Sequence, residues 1–189
     1  MRDFLPKLES ALQVVDVACL LIAAPLEARD EDVKAIAEPL IRAAQSRDVA
    51  ALLSGRAALA KMLGADGVHL DLRNSGDAMR LYREARKVLA EDAIAGAACP
   101  PERHLAMELG EAGADYVGFD LAAPEAAATI AWWGEMMTVP CIAFGAIDAA
   151  MARTLAKNGA DFIAPEPELW SRVDPARELE ALGAAIRAG

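Results

Sequence analysis

A recurring segment constrains the fold of this 189-residue chain more than any other feature: Leu-x-x-x-Gly-Ala-Asp followed by apolar residues. It occurs at 59–66 (with one extra residue), 109–115 and 155–161, and a degenerate copy spans 12–16. Each copy is typical of a helix end, a glycine in the left-handed conformation and entry into a buried strand. Other short apolar runs lie midway between the copies, so the repeating unit is one helix and one strand. This alternation indicates a parallel α/β protein.

The spacing of apolar residues predicts seven short strands and eight helices. The strands are expected near 17–23, 49–53, 67–70, 93–97, 116–119, 139–144 and 162–165. The helices are expected near 4–14, 30–46, 56–63, 76–90, 101–112, 124–136, 148–158 and 175–187. An eighth strand would have to precede Phe4, where three residues cannot supply it. We therefore expect one domain, residues 1–189, folded as a TIM (β/α)₈-type barrel that lacks a regular first strand.

Charge and composition exclude several classes of function. The formal net charge of −10 opposes binding to nucleic acid and to anionic membrane surfaces. The longest apolar run, 17–26, is about half of the ~20 residues that a membrane-spanning helix needs, and no signal peptide is visible. We expect a cytoplasmic protein whose three cysteines are small buried apolar residues in a reducing compartment.

Three segments carry a resemblance to a known family. They are Leu-Ala-Lys-Met-Leu-Gly-Ala-Asp-Gly-Val-His-Leu at 59–70, Gly-Ala-Asp-Tyr-Val-Gly at 113–118 and Val-Pro-Cys-Ile-Ala-Phe-Gly-Ala-Ile at 139–147. They are similar to the fourth-, sixth- and seventh-strand signatures of thiamine phosphate synthase and its relative thiazole tautomerase. Membership implies a (β/α)₈ barrel that uses Mg²⁺ to join a pyrimidine pyrophosphate to a thiazole phosphate, at the carboxyl ends of its strands.

The expected site motifs match only in part. The resemblance implies Asn-Asp-Arg after the family's third strand, Gly-Gln-x-Asp after its fourth and Gly-x-Ser at its fifth. Because the first strand is missing here, these are the second, third and fourth predicted strands of this chain. The chain has Ser-Gly-Arg at 54–56, Asp-Leu-Arg-Asn at 71–74 and Gly-Ala-Ala-Cys at 96–99. The phosphate-binding Gly-Gly-Ile becomes Gly-Ala-Ile at 145–147, and Pro-Glu-Pro-Glu follows at 165–168. Because two carboxylates there would repel a phosphate, we expect no phosphate on these two loops.

The polar residues at the predicted carboxyl ends are the candidates for a ligand site, with no catalytic residue assigned. They are Ser54, Arg56, His69, Asp71, Arg73, Asn74, Cys99, Asp120, Gly145, Ala146 and Glu166. The carboxylates among them (Asp71, Asp120, Glu166) are candidates for a divalent cation, and the two arginines for an acidic ligand or for pairing with those carboxylates. His69 is either a catalytic base or, as we favour, a hydrogen-bonded structural histidine.

Two hypotheses for function follow from these matches. The unmatched motifs favour a divergent homologue that binds a small molecule or a partner, without the family's catalysis. The alternative is an active thiamine phosphate synthase, a transferase of thiamine biosynthesis that requires Mg²⁺. In either case, the unpaired sheet edges left by a missing first strand predict a homodimer.

Overall fold

The computed structural model describes residues 4–25 and 27–188. Within them, helices and strands alternate in the predicted order, and each of the predicted strands and helices is present. The strands are β1 Cys19–Ile22, β2 Ala50–Ser54, β3 Gly67–Asp71, β4 Ile94–Ala98, β5 Tyr116–Asp120, β6 Cys141–Gly145 and β7 Phe162–Pro165. The helices are α1 Phe4–Val14, α2 Asp30–Gln45, α3 Ala57–Leu63, α4 Ala78–Val88, α5 Arg103–Glu111, α6 Ala126–Met136, α7 Ala149–Lys157 and α8 Pro175–Arg187. A 3₁₀ helix, Pro167–Ser171, follows β7 where a loop was predicted.

The strands form one parallel sheet in the order β1-β2-β3-β4-β5-β6-β7. The sheet is strongly curled, because the ring centroids of His69 on β3 and Phe144 on β6 are 5.4 Å apart. In a flat sheet the two strands would be about 14 Å apart, at ~4.8 Å per strand. The structure thus confirms a curled parallel α/β fold, with seven strands in the described ranges rather than a complete eight-stranded barrel.

The recurring Gly-Ala-Asp segments end helices and lead into strands, as the sequence predicted. Gly64, Gly113 and Gly159 have positive φ angles, which end the preceding helices where a side chain would be strained. The following aspartates accept hydrogen bonds from the amides that open the preceding strands. These bonds join Asp66 to Ala51 (2.7 Å), Asp115 to Ala95 (2.7 Å) and Asp161 to Cys141 (2.8 Å).

The two faces of the sheet differ in what covers them. Val68, Ala95, Val117 and Ala143 point outwards and are fully buried in clusters with the helices. Alternate residues point to the inner face, where His69 and Tyr116 are buried. The core is therefore a helical layer outside the sheet and a smaller packed layer inside it.

The two edge strands of the sheet do not pair with each other: none of the strand pairs in the described ranges joins β1 to β7. The helices close across this gap, since α1 packs on α8 and Lys7 Nζ donates to the Trp170 carbonyl at 3.0 Å. Cys19, on the inner face of β1, is exposed, so the prediction that it is buried was wrong. Cys99 and Cys141 are buried as predicted.

None of the helices in the described part of the chain is both long and apolar enough to cross a bilayer.

Candidate functional site at the carboxyl edge

The parallel strands bring most candidate residues to one edge of the curled sheet. Ser54 ends β2, Asp71 ends β3, Asp120 ends β5 and Gly145 ends β6. Asn74 is exposed in the loop that follows β3. These residues can therefore meet a ligand placed over the carboxyl ends of the strands, where parallel α/β proteins bind ligands.

Arg73 is held between two of the predicted carboxylates. Its Nε and one terminal nitrogen donate to the two oxygens of Asp71, at 2.8 and 2.7 Å, in a bidentate ion pair. Its other terminal nitrogen donates to Asp120 Oδ2, which extends from a strand two places along the sheet. We call Asp71, Arg73 and Asp120 the arginine clamp.

The clamp fixes the charge states of Asp71 and Arg73. The hydrogen bonds from Arg73 lower the pKa of Asp71, so this carboxylate is ionised at neutral pH. The same bonds raise the pKa of Arg73. The second oxygen of Asp120 accepts a hydrogen bond from the Ala122 amide at 2.9 Å, which orients the carboxylate. The clamp therefore carries two negative charges and one positive charge at half-exposed positions.

Arg56, the other arginine predicted at this edge, has different binding partners. Its guanidinium binds Asp30 and donates to the carbonyls of Pro25 and Ala28, both at 2.9 Å. Arg56 thus ties the β1–α2 loop to the start of α3. It pairs with Asp30 rather than with the carboxylates at the strand ends.

Cys99, another candidate, lies below the edge. Cys99 is fully buried in the outer hydrophobic cluster, and burial raises the pKa of its thiol to about 12. It is therefore a core residue and does not face a ligand.

His69 and Tyr116 form a buried hydrogen-bonded pair on the inner face. His69 Nδ1 and Tyr116 Oη are 2.7 Å apart, and the His69 side chain also contacts Phe144. Burial lowers the pKa of His69 to about 4 and raises the pKa of Tyr116. Both groups are neutral at pH 7, and together with Phe144 they form an apolar floor below the arginine clamp.

A cleft of about 340 Å³ opens beside the ends of β6 and β7. Two of the candidate residues, Ala146 and Glu166, line it, but the exposed Glu168 does not. Arg172 and Glu178 also line it and form an ion pair. Neither residue was predicted for the site: Arg172 follows a 3₁₀ helix that was interpreted as a loop, and Glu178 lies on the predicted helix 175–187.

The three predicted cation ligands do not form one site. Asp71 and Asp120 meet at Arg73, whereas Glu166 lies in the cleft with Arg172. The described residues contain no group of three or more His, Cys, Asp or Glu side chains placed to hold a metal ion. Any cation at the clamp would need further oxygen ligands from a substrate.

The fold and the polar carboxyl edge define a parallel α/β protein in which a ligand site would lie over the carboxyl ends of the strands. The family model for thiamine monophosphate synthase matches residues 1–165. A thiamine-phosphate synthase of Rhodospirillum centenum is 42% identical over 90% of this chain and 84% of the relative. One of Hyphomonas neptunium is 35% identical over 96% of this chain and 86% of the relative. The chain belongs to the thiamine phosphate synthase family.

A solved structure gives the same fold. The thiamine phosphate pyrophosphorylase from Pyrococcus furiosus superposes with a TM-score of 0.83 at 22% identity. The alignment covers 100% of this chain and 93% of that one. At this identity the likeness shows the shared architecture.

These relatives correct the functional interpretation of the sequence. A divergent homologue without the family's catalysis was favoured, yet relatives with 35% and 42% identity over most of their length are named thiamine-phosphate synthase. That interpretation was wrong in its method: it compared the motifs position by position. Arg73 and the two carboxylates beside it were identified as candidates but were not accepted as replacements for the family's residues, and Arg172 in the cleft was not considered.

Proposed function

We propose that this protein is an active thiamine-phosphate synthase, which joins a pyrimidine pyrophosphate to a thiazole phosphate. The observation that carries the proposal is the arginine clamp, an ion-paired guanidinium among carboxylates at the ligand-binding edge of the sheet. The curled sheet is then a (β/α)₈-type barrel without a regular first strand. The similarity to named synthases supports the same assignment.

The clamp fits the Mg²⁺ that the family implies. Mg²⁺ is commonly bound through one or two carboxylates, with the remaining ligands supplied by water and substrate phosphates. Asp71 and Asp120 would hold it, and a diphosphate would complete the coordination. When bound, the ion supplies positive charge that stabilises the diphosphate leaving group.

Arg73 contributes to the same step through hydrogen bonds. When the two substrates are joined, the diphosphate leaves with the electron pair of the broken bond, and negative charge builds up on its oxygens. A guanidinium stabilises such oxygens through charge-assisted hydrogen bonds. Asp71 and Asp120 orient Arg73 before substrate arrives, which limits the reorganisation that binding requires.

The second substrate fits the cleft beside β6 and β7. A side chain at Gly145 would place its Cβ 3.9 Å from Asp120 Oδ1, and the cleft begins at the next residue, Ala146. The two sites are therefore adjacent. Arg172 is a cation of this cleft, and it would exchange its ion-pair partner Glu178 for the thiazole phosphate. This proposal departs from our expectation that these loops bind no phosphate.

The floor of the site keeps water away from the reacting groups. His69, Tyr116 and Phe144 are packed together, and His69 Nδ1 is engaged in a hydrogen bond with Tyr116 Oη. Small phosphorylated substrates, rather than nucleic acid or a membrane, remain the expected ligands of a chain with a net charge of −10. The cytoplasm remains the predicted location.

A turnover assay tests the proposal. Purified protein is mixed with both substrates, with and without Mg²⁺, and thiamine phosphate is quantified against a reaction without enzyme. Formation of product only with protein and Mg²⁺ supports the proposal. Product at the level of the enzyme-free reaction contradicts it.

A further inference from the structure

The 3₁₀ helix Pro167–Ser171 carries one wall of the cleft. Leu169 and Arg172 both line the cleft, and Trp170 lies between them in the sequence. The Arg172 amide closes the helix by donating to the Leu169 carbonyl at 3.1 Å, so the main chain of Arg172 follows the position of the helix. A helix of five residues depends on contacts with the rest of the fold to keep its position.

The end of this 3₁₀ helix is anchored on α1. Lys7 Nζ donates to the Trp170 carbonyl at 3.0 Å, and carbonyls at the end of a helix lack donors within the helix itself. The Phe4 ring meets the Trp170 ring edge-on, with their centroids 5.0 Å apart. α1 therefore holds both the main chain and the side chain of Trp170.

Trp170 also links the two hydrophobic clusters of the molecule. Its side chain packs against the cluster built on β1, β2 and α2 and against the cluster built on β3–β6 and their helices. Because β1 and β7 do not pair within the described ranges, this contact and the packing of α1 on α8 join the two edges of the sheet. A displacement of α1 is therefore transmitted to the 3₁₀ helix.

This anchor gains importance when Arg172 changes its partner. Arg172 is paired with Glu178 on α8. In the proposed reaction it exchanges this partner for the thiazole phosphate, so the ion pair no longer fixes the guanidinium. The position of Arg172 then follows from the 3₁₀ helix, and hence from Trp170 and α1.

We propose that Lys7 and Trp170 are positioning residues for the second substrate: through them, α1 sets the position of Arg172 and thereby the affinity of the cleft for the thiazole phosphate. Lys7 and Trp170 lie outside the lining of the cleft, so they act through Arg172. This inference rests on the proposed synthase function. It adds that one substrate depends on α1, whereas the pyrimidine pyrophosphate, at the arginine clamp on β3 and β5, does not.

Steady-state kinetics with each substrate varied separately test this proposal. Lys7→Met removes the donor and should raise the KM for the thiazole phosphate by about tenfold, since a charge-assisted hydrogen bond is lost. The kcat and the KM for the pyrimidine pyrophosphate should stay unchanged. Lys7→Arg keeps a charged donor and should restore most of the affinity.

Two further variants separate positioning from general damage. Phe4→Leu removes the ring that packs on Trp170 and should raise the same KM by about threefold, which tests the anchor even if Lys7→Met does not fold. Lys34→Met removes the same charge from α2, where Lys34 pairs with Glu38, and should leave both KM values unchanged. Circular dichroism confirms that each variant is folded. A purely structural role for Lys7 would raise both KM values alike in Lys7→Met, and this result would overturn the proposal.

Isothermal titration calorimetry with the thiazole phosphate gives a readout without turnover. Lys7→Met should bind it about tenfold more weakly than the wild type and Lys34→Met. Equal affinities of folded Lys7→Met and Lys34→Met, or no binding by the wild type, would overturn the proposal. Binding that depends on Lys7 with no thiamine phosphate formed would contradict the synthase function and leave the positioning role standing. Turnover with a KM independent of Lys7 would do the reverse.

Discussion

At the scale of single residues, two glycines make room for the aromatic rings of the inner face. A Cβ added at Gly96 would lie 2.0 Å from the Tyr116 ring, and one at Gly118 would lie 2.1 Å from the Phe144 ring. Neither distance is sterically possible, so a larger residue would displace the ring beside it. The floor of the site therefore depends on backbone positions that carry no side chain.

Gly96→Ala should destabilise the protein by about 2 kcal/mol or more, because overpacking displaces the Tyr116 ring and breaks its hydrogen bond to His69. Urea denaturation gives the free energy of unfolding. Gly76→Ala is the matched control, since a Cβ there meets no atom within 4 Å. Equal stability of the two variants would contradict this packing.

His69 should make the stability pH-dependent. Its pKa is about 4 in the folded protein and 6.5 in the unfolded chain, so the unfolded state binds more protons between these values. The free energy of unfolding is highest above pH 6.5 and decreases as the pH falls towards 4. Linkage gives a loss of about 2 kcal/mol between pH 7 and pH 5 from this residue.

Urea denaturation at pH 7 and pH 5 measures this loss. His69→Gln should remove it, whereas the control His104→Gln, at an exposed position on α5, should retain it. A His69→Gln variant with the wild-type pH dependence would show that the buried histidine is not the cause.

The sequence predicted the position of His69 but not its surroundings. Its place at the end of a strand follows from a local apolar pattern, which needs only neighbouring residues. Its partner Tyr116 is 47 residues away, and contact requires the curl of the whole sheet. The sequence identified Asp71, Arg73 and Asp120 as candidates and offered pairing of an arginine with these carboxylates as one alternative. The fold was needed to show that Arg73 lies between both of them.

At the scale of elements, the aspartates of the recurring segments join each strand to the loop beneath it. Asp115→Ala should destabilise the protein by about 1–2 kcal/mol, because the Ala95 amide loses its acceptor. Asp92→Ala, which removes an exposed carboxylate from the α4–β4 loop, is the control. Thermal denaturation of both variants checks the difference, and an equal effect would rule out the specific hydrogen bond.

Helices and strands were predictable because each carries its own signal. Gly64, Gly113 and Gly159 mark helix ends, and apolar runs mark strands, so the predicted bounds differ from the observed ones by only a few residues. The 3₁₀ helix has no such signal: its five residues, two of them charged or proline at the start, resemble a loop. Because this helix was not predicted, Arg172 was not placed in the cleft, and its positive charge was not included among the charges expected there.

At the scale of the whole molecule, the gap between β1 and β7 leaves apolar side chains accessible. Leu21 on β1 is 39% exposed and Phe162 on β7 is 41% exposed, although both lie on edge strands of the core sheet. Exposed apolar edges are usually covered by another surface. The paired tryptophans of α6 need no such cover, since Trp133 is buried and Arg103 stacks on Trp132 at 4.5 Å.

We expect a homodimer that covers these edges. Sedimentation equilibrium at micromolar concentration should give the mass of two chains. Leu21→Ser should shift the equilibrium towards the monomer, whereas Met62→Ser, at a 67% exposed position on α3, should not. A single-chain mass that is stable across a tenfold dilution series would contradict the dimer.

The central claim is that the arginine clamp makes this chain a working synthase. The most direct measurement is the Mg²⁺-dependent rate of thiamine phosphate formation by the wild-type protein, Asp120→Asn and the control Asp77→Asn, whose carboxylate caps α4 away from the clamp. The wild type and Asp77→Asn should have equal rates, and Asp120→Asn should be slower by about tenfold or more. An inactive wild type, or an Asp120→Asn variant as fast as the wild type, would contradict the account.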